Sequence, residues 1–256
     1  MKTRLFLALL GAASVAAPAF SPVALAQGEG TTNAYKRTWA GVATLKTLRK
    51  TGKTRDLLAA YPVFGGSRPV AQVAELVLKQ DAVRGFNSFE KESRGTAKDL
   101  GLMSGMKYGF ELKPSLVLNR SRLISATTMF YQFTGGAHGS YGTTGYVFGT
   151  PHGAAKARQL HLADFFTDGN AARKRVNDLL MAKLRATKGK NQTADWVLSG
   201  EVKSIDKTLL ENFVATKNGL TWYFGPYAMG SFASGEFEVP LTARELGPNF
   251  RASLLR

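Results

Sequence analysis

Residues 108–133 read YGFELKPSLVLNRSRLISATTMFYQF, and the organisation of the whole chain turns on them. Tyr108, Phe110 and Leu112 alternate with other residues, as do Leu116 and Leu118. Further on, Ile124, Ala126, Thr128 and Phe130 alternate against Met129, Tyr131 and Phe133. Successive side chains of a strand point to opposite faces, so this period of two predicts half-buried strands of an antiparallel sheet. Thr134-Gly135-Gly136-Ala137-His138-Gly139-Ser140-Tyr141-Gly142 interrupts the strands, Tyr146-Val147-Phe148 resumes one, and Gly149–Gly153 reads as a turn.

The pattern changes on either side. Upstream, Val70, Val73, Ala74, Val77 and Leu78 fall at helical spacing, and the helix extends towards Phe86 and Phe89. Tyr61-Pro62-Val63-Phe64-Gly65-Gly66 reads as a break before it, and Gly95–Gly105 as a loop after it. Between Tyr35 and Thr54 the spacing of Trp39, Val42, Leu45 and Leu48 suits a helix, while Gly41 and the β-branched residues suit a strand pair. Downstream, a second helix covers Ala171–Thr187, with Val176, Leu179, Leu180 and Leu184 on one face and basic residues on the other. Asn218-Gly219 between two apolar runs marks a hairpin. Phe237, Val239 and Leu241 form a last strand, which Pro240 places at an edge. Strands and helices come in separate runs. This predicts an α+β fold, an antiparallel β-sheet with two principal helices packed on it.

The N-terminus has the parts of a secretory signal: Lys2 and Arg4, an apolar Leu5–Val15, and the cleavage motif Ala24-Leu25-Ala26. Residues 1–26 are read as a cleaved signal peptide and 27–34 as a disordered linker. The apolar run is broken by Pro18 and Pro22 and falls short of the about 20 residues of a membrane span. The expected location is extracytoplasmic, periplasmic or secreted. Removing Lys2 and Arg4 leaves the mature chain at a net charge of +14, against +16 for the whole. Such a basic surface attracts anionic membranes and polymers peripherally. Its densest runs, Lys46–Arg55 and Arg173–Lys190, are not interleaved with aromatics, which argues against a specific nucleic-acid groove. Cysteine is absent, so disulfides, thiol catalysis, thiolate metal sites and a lipoprotein anchor are excluded.

No catalytic set emerges. The three histidines, His138, His152 and His161, have gaps that match no helical metal motif. There is no G-x-S-x-G elbow, no P-loop and no dinucleotide fingerprint. The close carboxylate pairs are Asp164 with Asp168, around a turn, and Glu236 with Glu238, on one strand face. Neither a cofactor nor a metal is expected. The informative segments are Tyr131–Gly139 and Gly219–Gly235, which are rich in glycine and aromatic residues. Glycines expose backbone amides and let His138 sit at a bend, and Tyr227 and Phe232, flanked by Gly, Pro and Ser, are placed to stay exposed.

These segments also carry a resemblance. Tyr61-Pro62, the helix, Tyr131-x-x-Thr134-Gly135-Gly136-Ala137-His138-Gly139, Leu160-x-Leu162-x-Asp164-Phe165-Phe166, the second helix and Gly219-Leu220-Thr221-x-Tyr223-Phe224-x-Pro226-Tyr227 follow in that order. The sequence resembles the RsiV-like ectodomain family over about residues 60–246. That family includes the extracytoplasmic part of a lysozyme-sensing anti-sigma factor and the non-catalytic N-terminal region of certain peptidoglycan deacetylases. The resemblance implies one ectodomain, with an N-terminal part at 35–155 and a C-terminal part at 156–256, acting as a binding or sensing module. The expectation is therefore a non-catalytic module of the cell envelope that binds a wall glycan or an envelope-directed protein. Its expected contact residues are Thr134, Gly135, Gly136, Ala137, His138, Gly139, Tyr141, Tyr223, Tyr227 and Phe232. The alternatives are a wall-sugar hydrolase using His138 with a carboxylate, and a binder of polyanions driven by charge alone.

Overall fold

The computed structural model describes residues 34–99, 106–189 and 192–256; the expected signal segment and residues 27–33 lie outside the described residues. Helix α1 (Ala34–Thr38) leads into β1 (Thr44–Thr51) and β2 (Arg55–Val63). Helix α2 (Pro69–Asp99) then carries the chain to β3 (Tyr108–Arg120), β4 (Leu123–Phe133), β5 (Ser140–Gly149) and the two-residue β6 (Arg158–Gln159). These six strands form one sheet in sequence order. Every pair is antiparallel except β2 with β3, because the crossover through α2 returns the chain in its original direction.

The alternation seen in the sequence is the reason one face of this sheet is apolar. Leu57, Ala59, Tyr61, Phe110, Ile124, Ala126 and Phe148 are buried, and the stripe Val70, Ala74, Leu78, Ala82, Phe86 and Phe89 of α2 lies on them. Polar groups of α2 also reach this layer: Asp81 accepts a 3.0 Å bond from the Tyr146 hydroxyl, and Glu75 accepts from Phe64 N–H at 2.9 Å. The ambiguous stretch 35–54 resolves into a short helix followed by a strand. Trp39, 1 % exposed, closes the split that opens where the β2–β3 pairing ends at Ala59 and Leu112. Its indole N–H donates to Pro114 O at 2.9 Å, its ring meets Phe64 edge-on, and Thr38 Oγ1 accepts from Leu116 N–H at 2.9 Å.

Two local expectations are corrected. Tyr61-Pro62 belongs to β2 rather than to a break. Pro62 lies past the last β2–β3 pair and has a strand neighbour on the β1 side only, so its missing N–H interrupts no ladder there. Gly95–Asp99 continue α2 rather than forming a loop, and residues 100–105 lie outside the described residues. Glycine costs a helix only about 1 kcal/mol relative to alanine, which helical neighbours outweigh.

The C-terminal half forms a second layer. Arg158, β6 and the motif residues Leu160, Leu162, Phe165 and Phe166 enter it, with the last four buried. Asp164 holds this turn by accepting from His161 N–H at 2.8 Å and from Arg158 through two bonds of 2.8 and 2.6 Å. Helix α3 (Gly169–Ala186) follows, then the two-residue ribbon β7 (Lys188–Gly189) and β8 (Gln192–Thr193) and the short α4 (Asp195–Leu198). Strands β9 (Phe213–Ala215), β10 (Gly219–Phe224) and β11 (Phe237–Thr242) form a sheet of order β11-β10-β9, and α5 (Ala243–Leu246) caps the end. The Asn218-Gly219 hairpin joins β9 to β10, and Pro240 sits exposed on the edge strand β11, as its sequence suggests.

One core joins both layers: Val176, Leu180 and Leu184 of α3 and Trp222, Phe224, Phe237 and Leu241 meet Leu118, Leu123 and Val147 of the first sheet. No helix among the described residues is long and apolar enough to cross a membrane. The layers approach most closely at Gly145, where a Cβ atom would stand 2.3 Å from Phe213 O. Asn212 fastens the same seam, accepting from Gly145 N–H at 2.7 Å and donating to Thr143 O and Tyr223 O. Gly145→Ala is expected to lower stability by about 1–3 kcal/mol through this backbone clash, read as a drop in the urea midpoint. An unchanged midpoint would show that the seam is loose.

Candidate ligand-binding surface

Tyr131 of β4 and Tyr141 of β5 are direct cross-strand partners, on the sheet face opposite α2. The loop Thr134–Gly139 joins the two strands, with its tip residues Thr134 to His138 exposed. Gly139 has a local purpose: a Cβ there would come 2.3 Å from the Tyr131 ring, so the ring lies directly over the glycine backbone. The first and last residues of the Tyr131–Gly139 motif therefore touch each other.

His138 is turned towards the C-terminal layer. Its ring stacks on Phe232 at 3.8 Å between centroids, and Nδ1 donates to Gly139 O at 3.0 Å. Phe232 lies in a 310 turn just before β11. Tyr141 meets it edge-on at 5.7 Å and Tyr227 tilts against it at 5.8 Å. Tyr227 in turn lies 6.4 Å from Trp196 of α4, whose backbone N–H bonds to Met229 O. The two segments distant in sequence thus meet in one patch of rings. Trp196 is absent from the sequence expectation, because nothing in its local spacing distinguishes it from a core tryptophan and only the fold brings α4 beside Tyr227.

Tyr227 is the most unusual member. It is 44 % exposed and has φ +66°, the single non-glycine residue with positive φ among those described. Gly225-Pro226-Tyr227-Ala228 closes as a turn through Ala228 N–H to Gly225 O at 3.1 Å, and Tyr227 occupies its third position, where glycine is favoured. A left-handed side-chain-bearing residue costs about 1–2 kcal/mol, so the fold spends stability to hold this ring outward.

Beneath the patch, Glu236 accepts from Thr143 N–H at 2.6 Å and from Thr143 Oγ1 at 2.8 Å. Burial pushes its carboxyl above the ordinary value, against the pull of the Thr143 bonds, and Glu238 adds to the rise. Burial and the Glu236 charge likewise raise Tyr141, and burial with Glu238 and Glu236 pushes Tyr223 up to about 12. Both phenols therefore keep their protons at neutral pH and remain donors. Tyr223 is half-buried opposite Glu238 on β10 and flanks the patch at its base.

A hydrolytic arrangement does not assemble around His138: among the described residues it makes no ion pair, and no cluster of metal-ligating side chains exists. The histidine that does meet a carboxylate is His161, 3.4 Å from Glu211. That contact raises the His161 pKa, chiefly through the hydrogen bond to Glu211, whose other bond is to Leu162 N–H. The pair thus braces the Leu160–Phe166 turn. A shallow groove of about 360 Å³ lies elsewhere, between Pro69, Val73 and Leu76 of α2 and Ala155–Ala157, and it contains no histidine or carboxylate.

Comparison with known proteins agrees with this architecture. Residues 51–141 match the family model described as Deacetylase PdaC, and residues 163–243 match that described as Protein of unknown function (DUF3298). No curated protein matches the chain. A DUF3298-family protein of Bacteroides fragilis has a similar fold, with TM-score 0.54 and 16% identity, covering 84% of this chain and 97% of that one. A DUF3298-family protein of Pseudomonas aeruginosa aligns with TM-score 0.50 and 16% identity, over 80% of this chain and 92% of its own. The chain is thus similar to domains of unknown function and to a deacetylase-associated region, and the solved structures speak to its fold alone.

The raised Glu236 carboxyl gives a pH dependence of definite sign. The folded state holds this proton to higher pH than the open chain, so the stabilisation is complete below about 4.5 and is lost as pH rises through the raised value. Glu236→Gln is expected to flatten the decline in stability as pH rises above about 4.5, measured by urea unfolding at a series of pH values. Parallel profiles for the two proteins would show that the carboxyl titrates as in the unfolded chain.

Proposed function

We propose that this protein is an exported, non-catalytic binding module of the cell envelope, and that its ring patch recognises a wall glycan. The observation that carries the reading is Tyr227, held outward in a left-handed turn beside Trp196, Phe232 and His138. Aromatic rings present a flat apolar face against which the C–H face of a pyranose packs, while nearby phenol hydroxyls supply hydrogen bonds to sugar hydroxyls. The match of residues 51–141 to Deacetylase PdaC supports an extracytoplasmic setting. The kinship with RsiV-like ectodomains, the cleavage after Ala26 and the division into parts 35–155 and 156–256 belong to the same reading.

Thr134, Gly135, Gly136 and Ala137 form the rim in this proposal, Gly139 seats Tyr131, and His138, Tyr141, Tyr227 and Phe232 form the floor, with Tyr223 beneath. An envelope-directed protein would use the same aromatic anchors.

The test is retention of the mature protein on insoluble peptidoglycan at low and high salt, with Tyr227→Gly alongside. Glycine suits the positive φ, so this variant removes the ring while the turn is kept or strengthened. Wild-type retention that survives high salt, with at least about tenfold weaker binding by the variant, is expected. Retention abolished by salt would assign binding to the basic surface instead, and no retention at either salt would redirect the search to a protein partner.

A further inference from the structure

The ring patch does not end at Phe232. Trp196 and Tyr227 are 6.4 Å apart, Tyr227 and Phe232 5.8 Å, and Phe232 and Tyr141 5.7 Å. Tyr141 then pairs across the strands with Tyr131, whose ring is held flat over Gly139. Five rings therefore follow one another from α4 across the layer boundary to the open face of the first sheet, and the three ring-to-ring steps from Trp196 to Tyr141 are each close to the length of one pyranose unit. Tyr227 is exposed, the other four are partly exposed, and His138 stacks on one face of Phe232.

Carboxylates lie beside this path. Glu236 acts electrostatically on Tyr141 and Tyr223, Glu238 faces Tyr223, and Glu111 acts on Tyr131. Lys113 pairs with Glu111, whereas no ion pair to Glu236 or Glu238 exists among the described residues. Parts of the dense basic runs are engaged by local carboxylates: Lys50 with Glu90, Lys174 with Asp178, Lys183 with Glu245. An anionic polymer laid on the rings would meet carboxylates, despite the net charge of +16.

Resting on the glycan reading above, the geometry points to a narrower ligand class: a linear, uncharged glycan backbone bound over several consecutive sugars, with Trp196 and Tyr131 as the outermost contact residues. A single sugar, a chain end or an anionic wall polymer does not use this path. Polymer recognition of this kind makes affinity grow with the number of sugars until the row is filled.

The experiment is calorimetric titration of the mature protein with β-1,4-linked N-acetylglucosamine oligomers of increasing length, from the monomer to the hexamer. Affinity is expected to rise at least about tenfold between dimer and hexamer, as successive rings are engaged. Trp196→Leu and Tyr131→Leu, at opposite ends of the row, should each weaken hexamer binding by a larger factor than dimer binding. Polyphosphate should not displace the hexamer. Equal affinity for dimer and hexamer, indifference to both end variants, or displacement by polyphosphate would overturn the inference. So would retention on peptidoglycan without binding of any oligomer, which would leave the wall-binding reading intact. Absence of both would remove the two together.

Discussion

The structure depends on how closely β5 lets the second layer approach the first. Gly145 offers no side chain where the Phe213 backbone crosses it, and Asn212 uses its amide to tie Gly145, Thr143 and Tyr223 into one seam. Any side chain at Gly145 would hold the layers apart, and the shared core of α3, β10 and β5 residues would open to water. Buried backbone groups need partners, and the seam supplies them across the layers: Ala215 N–H reaches Ser125 Oγ at 2.9 Å. The ring patch is a by-product of that contact. Because β5 touches the second layer, Tyr141 arrives beside Phe232 and His138 can stack on it.

The electrostatics follow a different logic from the composition. A strongly basic chain suggests a polyanion binder, yet several basic side chains are spent on local carboxylates, and surface pairs of this kind contribute little to stability. Others guard β1, the long outer strand of the six-stranded sheet. Lys46 and Arg49 on an exposed edge discourage pairing with another chain. The aromatic patch has carboxylates beside it, Glu236 and Glu238.

Much of the fold was legible because periodicity reports burial. The alternation through Tyr108–Phe133, the helical stripe from Val70 and the Asn218-Gly219 hairpin each appear where expected. What escaped was nonlocal. The parallel β2–β3 pair depends on where α2 delivers the chain, and Pro62 is tolerated in β2 only because β3 has already diverged. Glycine at Gly95 reads as a breaker when its helical neighbours are ignored. For the site, the glycine- and aromatic-rich segments stood out, and they do converge in space. Trp196 did not stand out, since a tryptophan in a short helix carries no mark of the ring it will meet. His138 invited a catalytic reading that its stacking on Phe232 and its bond to Gly139 do not support.

Trp39 has a consequence for biogenesis. Its indole finds a carbonyl partner only at Pro114, 75 residues further along the chain. At about 5–20 residues per second of synthesis, that acceptor emerges about 4–15 s after the tryptophan. During that interval α1 and β1 have no third strand to lie against, and a large apolar ring at the front of the chain stays uncovered. The first sheet is therefore completed late, and its earliest-made piece stays uncovered until β3 has been synthesised.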